Sequence, residues 1–225
     1  MATTTTMTTA IIMVTTTSTR LLRLLQLASP TLPVGAYSYS QGLEAAIEAK
    51  VVHDAASAKA WIADVLEFSV ARMEAPLFLR LMKSADSNAL FLASRETSEL
   101  RAETVQMGYS LNRLLPQLGL EPLAIEEPSF PAVFAHAAAQ WGIPPREALA
   151  AYLWSWLENQ VMAAVKAVPL GQTEGQKILL ELAASVASTV EAAGQAREES
   201  LGNFAPGLAV LSSRHETQYS RLFRS

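Results

Sequence analysis

Cysteine is absent from all 225 residues, which excludes disulfides and thiolate chemistry and removes the softest metal ligands. Histidine is almost as scarce. His53, His136 and His215 lie far apart without mutual ligand spacing, so each reads as a lone surface residue rather than part of a metal site. The net charge is −4 with both signs interspersed. No basic stripe offers itself to a phosphate backbone, which argues against nucleic-acid binding. No apolar run approaches the roughly 20 positions needed to span a bilayer, and stretches such as Ala148 to Trp156 are soon interrupted by charge. No segment alternates with period two for a strand's length, so sheet structure is not expected.

What remains is a helical pattern with half of its residues hydrophobic, enough to build a core without staples. Residues 1–19 form a threonine-rich segment that lacks the charged start and long apolar region of a secretory signal. They are expected to be a disordered tail on a cytoplasmic protein. From Arg20 to Ser225 the pattern predicts one all-α domain, a bundle of about ten helices. Arg20 to Ala28 is apolar around most of its girth, which predicts burial on more than one side. Asp54 or Ser57 can cap the helix carrying Trp61, Val65, Leu66 and Phe68. Pro76 predicts a break or kink, and Ser94 to Ser98 an interruption of the long segment from Ala89 to Leu115. Pro144 and Pro145 open a helix that reaches about Val168. Thr173-Glu-Gly-Gln176 has the form of a capping box and predicts a last long helix to about Arg197. Abundant alanine favours helices and lets their axes approach closely.

Between the first two helices stands Ser29-Pro-Thr-Leu-Pro-Val-Gly-Ala-Tyr-Ser-Tyr-Ser-Gln-Gly-Leu-Glu44. Pro30 and Pro33 exclude a helix, Gly35 permits a sharp turn, and Tyr37 and Tyr39 carry large rings with hydroxyls that need partners. Ser38-Tyr-Ser-Gln41 suggests a helix start near Ser40 that carries Leu43 and Ile47 inward. The stretch reads either as an irregular loop packed on the core or as a rigid platform aimed at a partner protein.

Catalytic constellations are missing. Gly171-Gln-Thr-Glu-Gly-Gln-Lys177 has three residues between its glycines and Gln176 before the lysine, which breaks the phosphate-loop pattern. His215-Glu216 begins like a zincin motif, but Tyr219 stands where the second histidine belongs. Gly35 to Gly42 misses the spacing of a nucleophile elbow. Ser94 to Glu103, with Arg95, Glu96, Glu99, Arg101 and Glu103, reads either as an exposed ion-paired helix face or as a dimer or partner contact. These absences favour a protein that binds other proteins.

Several blocks resemble a known family in order. They are Leu24 to Glu44 and Ser94-Arg-Glu-Thr-Ser-Glu-Leu-Arg101 with Met107-Gly-Tyr-Ser-Leu-Asn-Arg-Leu-Leu115. Trp156-Leu-Glu-Asn-Gln160 and Val168 to Gln176 follow, then His215-Glu-Thr-Gln-Tyr-Ser-Arg-Leu-Phe-Arg-Ser225. Together they resemble the urease accessory protein F family from about Arg20 onward. The resemblance implies an all-helical homodimer that catalyses nothing and binds no cofactor. It implies a scaffold in nickel insertion that joins a D/H-type accessory protein and a nickel-carrying GTPase, the G protein, for delivery to apo-urease. It further implies complex formation through Tyr37 or Tyr39 and through Arg221.

Gln41 and Glu44 extend that platform. Leu222, Phe223 and Arg224 complete a terminal segment whose arginine-and-apolar composition suits an interface. Short termini are disordered unless held, so the tail from about 215 to 225 is expected to fold beside the platform and become ordered on partner binding. Lys166 and Gln172 flank the turn Pro169-Leu-Gly171, which reads as a GTPase contact or a plain helix-to-helix turn. The alternatives are a GTPase-activating protein with Arg221 or Arg224 as an arginine finger, and a helical enzyme built on Glu and Tyr.

Overall fold

The computed structural model describes residues 17–225, and all regular structure in them is helical. Of the expected threonine-rich tail, 1–16 lie outside the described residues, whereas 17–19 already belong to helix α1 (17–28). The expected burial of α1 on several sides is not found. Leu27 is buried, but Leu21, Leu22 and Leu25 are more than half exposed. The helix lies on the core along one edge and leaves a leucine stripe uncovered.

Helix α2 (Leu43–Glu48) starts after Gly42 rather than at Ser40, because the chain turns through the left-handed region at Gln41 and Gly42. A side chain on Gly42 would press on Leu208 and Ser212 of the last helix. Helix α3 (Ala55–Val65) is capped by Asp54 and Ser57 together, in a reciprocal capping box. The break expected at Pro76 is also absent. A π-helical stretch, Leu66–Glu74, joins α3 to α4 (Ala75–Leu81), and the wider turn falls in the residues just before the proline. Proline in a regular helix lacks one N–H and clashes with the preceding turn, and a π-turn there relieves both.

Helix α5 (Asn88–Ala93) and α6 (Ser98–Leu114) are separated where the sequence predicts, with Thr97 capping α6. Helix α7 (Phe130–Gln140) is capped by Ser129 and buries Ala132, Ala135, Ala137 and Ala138. Helix α8 (Pro145–Ala167) is the axis of the fold, in contact with α2, α3, α4, α7 and α9. Helix α9 (Gln172–Ala193) begins without a side-chain cap, so the box expected at Thr173 does not form, and it stops short of Arg197. Helix α10 (Pro206–His215) follows a loop and packs on α2.

Small residues set the closest contacts. A Cβ on Gly108 of α6 would stand 1.9 Å from the Pro128 carbonyl oxygen, and one on Gly175 of α9 would meet Val165 of α8 at 2.8 Å. Phe78, Phe130, Phe134 and Tyr152 form the aromatic centre, with Phe78 stacked on Tyr152 at 4.9 Å. Among the described residues, no helix is long and apolar enough to cross a membrane.

Candidate partner-binding site

The platform and the tail, about 180 residues apart in sequence, are joined in space. Gly35 opens a short 3-10 turn, Ala36–Ser38, with φ of +81°, a conformation that favours glycine. The backbone then runs extended through Tyr39 and is met by the end of the chain. Arg224 donates its N–H to the Ser38 carbonyl at 2.8 Å, and Ser40 donates N–H and hydroxyl to the Ser225 carbonyl at 2.7 and 2.5 Å. Ser225 donates its own hydroxyl to Glu103 at 2.7 Å.

The two tyrosines divide their roles. Tyr39 is buried, its carbonyl accepts from Asn159, and its hydroxyl meets the Arg224 guanidinium. Burial pushes that hydroxyl above the usual tyrosine range, Glu103 adds to the shift, and Arg224 opposes it. Tyr37 is 73% exposed, at the rim of a cavity of about 230 Å³ between α1, α6 and α8. Gln41 is a structural fastening. Its amide donates to Glu103 at 2.7 Å and accepts from the Trp156 indole at 2.8 Å, which holds it at a positive φ.

Glu44 reaches the tail directly, accepting the N–H groups of Leu222 and Phe223 at 2.6 and 2.8 Å. Phe223 is the apolar anchor. Its ring is buried with Leu43, Ala46, Ala163 and Leu211, under the Lys166 ammonium at 4.6 Å. The tail therefore has more apolar grip than its composition suggests. Arg221 directs its three nitrogens to Glu99 and to the Gln218 and Glu216 carbonyls. Leu222 and Arg224 remain exposed beside it. Gln172 opens α9 at an exposed position and takes no part in these tail contacts.

The sequence named Glu99, Glu103 and His215 but did not show that they meet at the tail. His215 is fully buried, not a surface residue. Glu103 is buried too, and desolvation pushes its carboxyl up to about 7 despite the bonds from Gln41 and Ser225. Arg95 is likewise not on an exposed face. Burial opposes its charge, but Glu74 at 2.6 Å and Glu96 raise it above the ordinary arginine value. Tyr152 donates to Glu74 at 3.0 Å, and its burial raises the hydroxyl far above the tyrosine range. Only Arg101, paired with Glu127, behaves as the surface ion pair the segment suggested. The one readable signal was the four-residue spacing of Glu99 and Glu103, which puts both on one face of α6.

These side chains form an internal polar network beside a partly exposed surface. Among the described residues, no group of three His, Cys, Asp or Glu stands close enough to hold a metal ion. The UreF family profile matches residues 52–183. The chain belongs to the UreF family.

Relatives agree along nearly the whole length. Urease accessory protein UreF of Azoarcus sp. is 60% identical, covering 91% of this chain and 95% of its own. The namesakes from Dechloromonas aromatica and Methylobacillus flagellatus are 52% and 51% identical, each over 92% of this chain and 98% or 99% of theirs. This UreF-family chain is thus a non-catalytic urease accessory protein. The tail and platform lie outside the profile's span but inside a fold shared at this level of identity.

Proposed function

We propose that this chain is the scaffold that joins a D/H-type accessory protein to the nickel-carrying GTPase, so that nickel reaches apo-urease. It acts in the cytoplasm as a homodimer, with nickel as cargo rather than resident cofactor. The observation that carries this reading is the join between tail and platform. Residues 221–225 are stitched to 38–44 by backbone bonds, leaving Leu222 and Arg224 displayed around the buried Phe223. An ordered mixture of guanidinium and apolar groups is the composition of an interface hot spot. The latched tail is the partner-competent form, and docking of the D/H-type protein consolidates it. The exposed leucine stripe on α1 supports a contact with a second copy.

The test is co-purification with the D/H-type protein and the GTPase. Arg221→Ala and Phe223→Ala should each weaken capture of the D/H-type partner by about 2 kcal/mol, roughly thirtyfold. GTP turnover by the GTPase in complex with this chain should be unaltered by Arg221→Ala. Undiminished capture by both variants would overturn the scaffold surface, and turnover that falls by orders of magnitude would replace it with an arginine-finger activator.

A further inference from the structure

Two carboxylates from different helices hold the tail, and one buried side chain ties them together. Glu44 of α2 receives the Leu222 and Phe223 N–H groups, and Glu99 of α6 receives the Arg221 guanidinium at 2.5 Å. Between them stands His215, the last residue of α10, fully buried. Its Nδ1 lies 2.7 Å from Glu99 Oε2 and its Nε2 lies 3.2 Å from Glu44 Oε2.

An ionised carboxylate only accepts hydrogen bonds, and a neutral imidazole has a single N–H. Both contacts are satisfied together when both ring nitrogens carry protons. Charge balance points the same way. With an imidazolium, the two positive charges of His215 and Arg221 face the two negative charges of Glu44 and Glu99. Without it, a carboxylate faces a lone pair of a fully buried ring, a costly arrangement.

We propose that His215 is the keystone of a proton-dependent latch on the tail: the doubly protonated ring clamps Glu44 and Glu99 in the positions that receive residues 221–223, and loss of a ring proton loosens them.

The surrounding charges have other engagements. Glu216 turns its carboxylate onto Ser98 and the Glu99 N–H at the start of α6. Lys166 of α8 covers the Phe223 ring. Glu103, one turn along α6 from Glu99, holds Ser225 at the far end of the tail and titrates near neutrality in its own right. Its contribution has to be separated from that of His215.

The experiment uses the full chain without partners, so its failure would leave the scaffold reading standing. Long-range proton–nitrogen NMR on histidine-labelled protein reads the two ring nitrogens, with His53→Asn and His136→Asn assigning the signals. Hydrogen exchange, corrected for intrinsic rates, reads protection at Leu222 and Phe223 between about pH 6 and 9. Both nitrogens of His215 should be protonated at the acid end. Protection should fall about tenfold or more as the ring loses a proton, the effect of removing a charge-assisted bond. Glu103→Gln should keep that coupled transition, whereas His215→Gln should show weak protection that no longer follows pH. A neutral ring beside a protected tail at the acid end would overturn the latch in the unmutated protein, whether or not the variant folds. Deprotonation without loss of protection would also overturn it.

Discussion

Glu103→Gln should stabilise this protein above neutral pH and leave it unimproved in acid. Glu103 is 5% exposed, and burial lifts its carboxyl from 4.5 to about 7. A folded-state value above the unfolded one means that the native state holds the proton more tightly. Stability from this group is fully present below about pH 4.5 and is lost as pH rises through about 7. At roughly 1.4 kcal/mol per unit, the rise of about 2.5 units amounts to about 3 kcal/mol of ionisation cost carried by the native state at pH 8. The amide removes that cost.

The substitution also weakens the bonds from Gln41 and Ser225, which favour a carboxylate. At about 1 kcal/mol for a typical bond, they return roughly half of the gain. The net expectation is about 1–2 kcal/mol at pH 8, or a Tm increase of about 3–6 °C for a chain of this size. At pH 5 the two proteins should be equal, or the variant slightly worse. Thermal or urea unfolding from pH 5 to 8.5 reads this as two curves that cross. Parallel curves, or a variant weaker throughout, would refute the assignment of the buried charge cost to Glu103.

Three further substitutions probe other parts of the frame. Gly108→Ala should cost about 3 kcal/mol by urea unfolding, because its Cβ would overlap the Pro128 carbonyl and prise the α6–α7 linker off the helix. Arg95→Ala should cost about 3–5 kcal/mol, since Glu74 and Glu96 would keep their burial and lose their cation. Tyr39→Phe deletes only the hydroxyl that meets Arg224, so the tail should lose about 1 kcal/mol of local stability against opening, seen as faster exchange at Arg224 with an unchanged global Tm.

The helices were legible wherever local chemistry decides them. Asp54 with Ser57 and the pair Pro144–Pro145 act on residues a turn away, and each starts a helix as read; Thr97 and Ser129 cap α6 and α7 by the same local chemistry. The failures have long-range causes. Pro76 did not break its helix, because the preceding residues widened into a π-turn inside a packed core. Leu21, Leu22 and Leu25 look like core residues in a one-dimensional pattern, and only tertiary placement shows that they face outward. Within the site, Tyr39, Gln41, Glu44 and Arg221 to Arg224 could be singled out as members of the family blocks. The enclosure of His215, Glu99 and Glu103 could not be read, because His215 and Glu103 are buried, and Glu99 partly buried, only where segments more than 100 residues apart close over them.

The polar content of this join has a physical reason that apolar packing does not supply. Phe223 accounts for the grip of the tail, and a ring in a pocket tolerates sliding and rotation. The tail is also met by directional partners along its length: Glu99 at Arg221, Glu44 at Leu222 and Phe223, Ser38 at Arg224, and Ser40 with Glu103 at Ser225. A shift of one residue would leave several of these buried acceptors or donors unmatched, which costs far more than the matched network gains. One register survives. For the scaffold role proposed above, a single register matters more than extra stability. Hence Glu103 and His215 sit buried where the tail meets the platform, while the other buried pair, Glu74 with Arg95, is tied to Tyr152 at the aromatic centre.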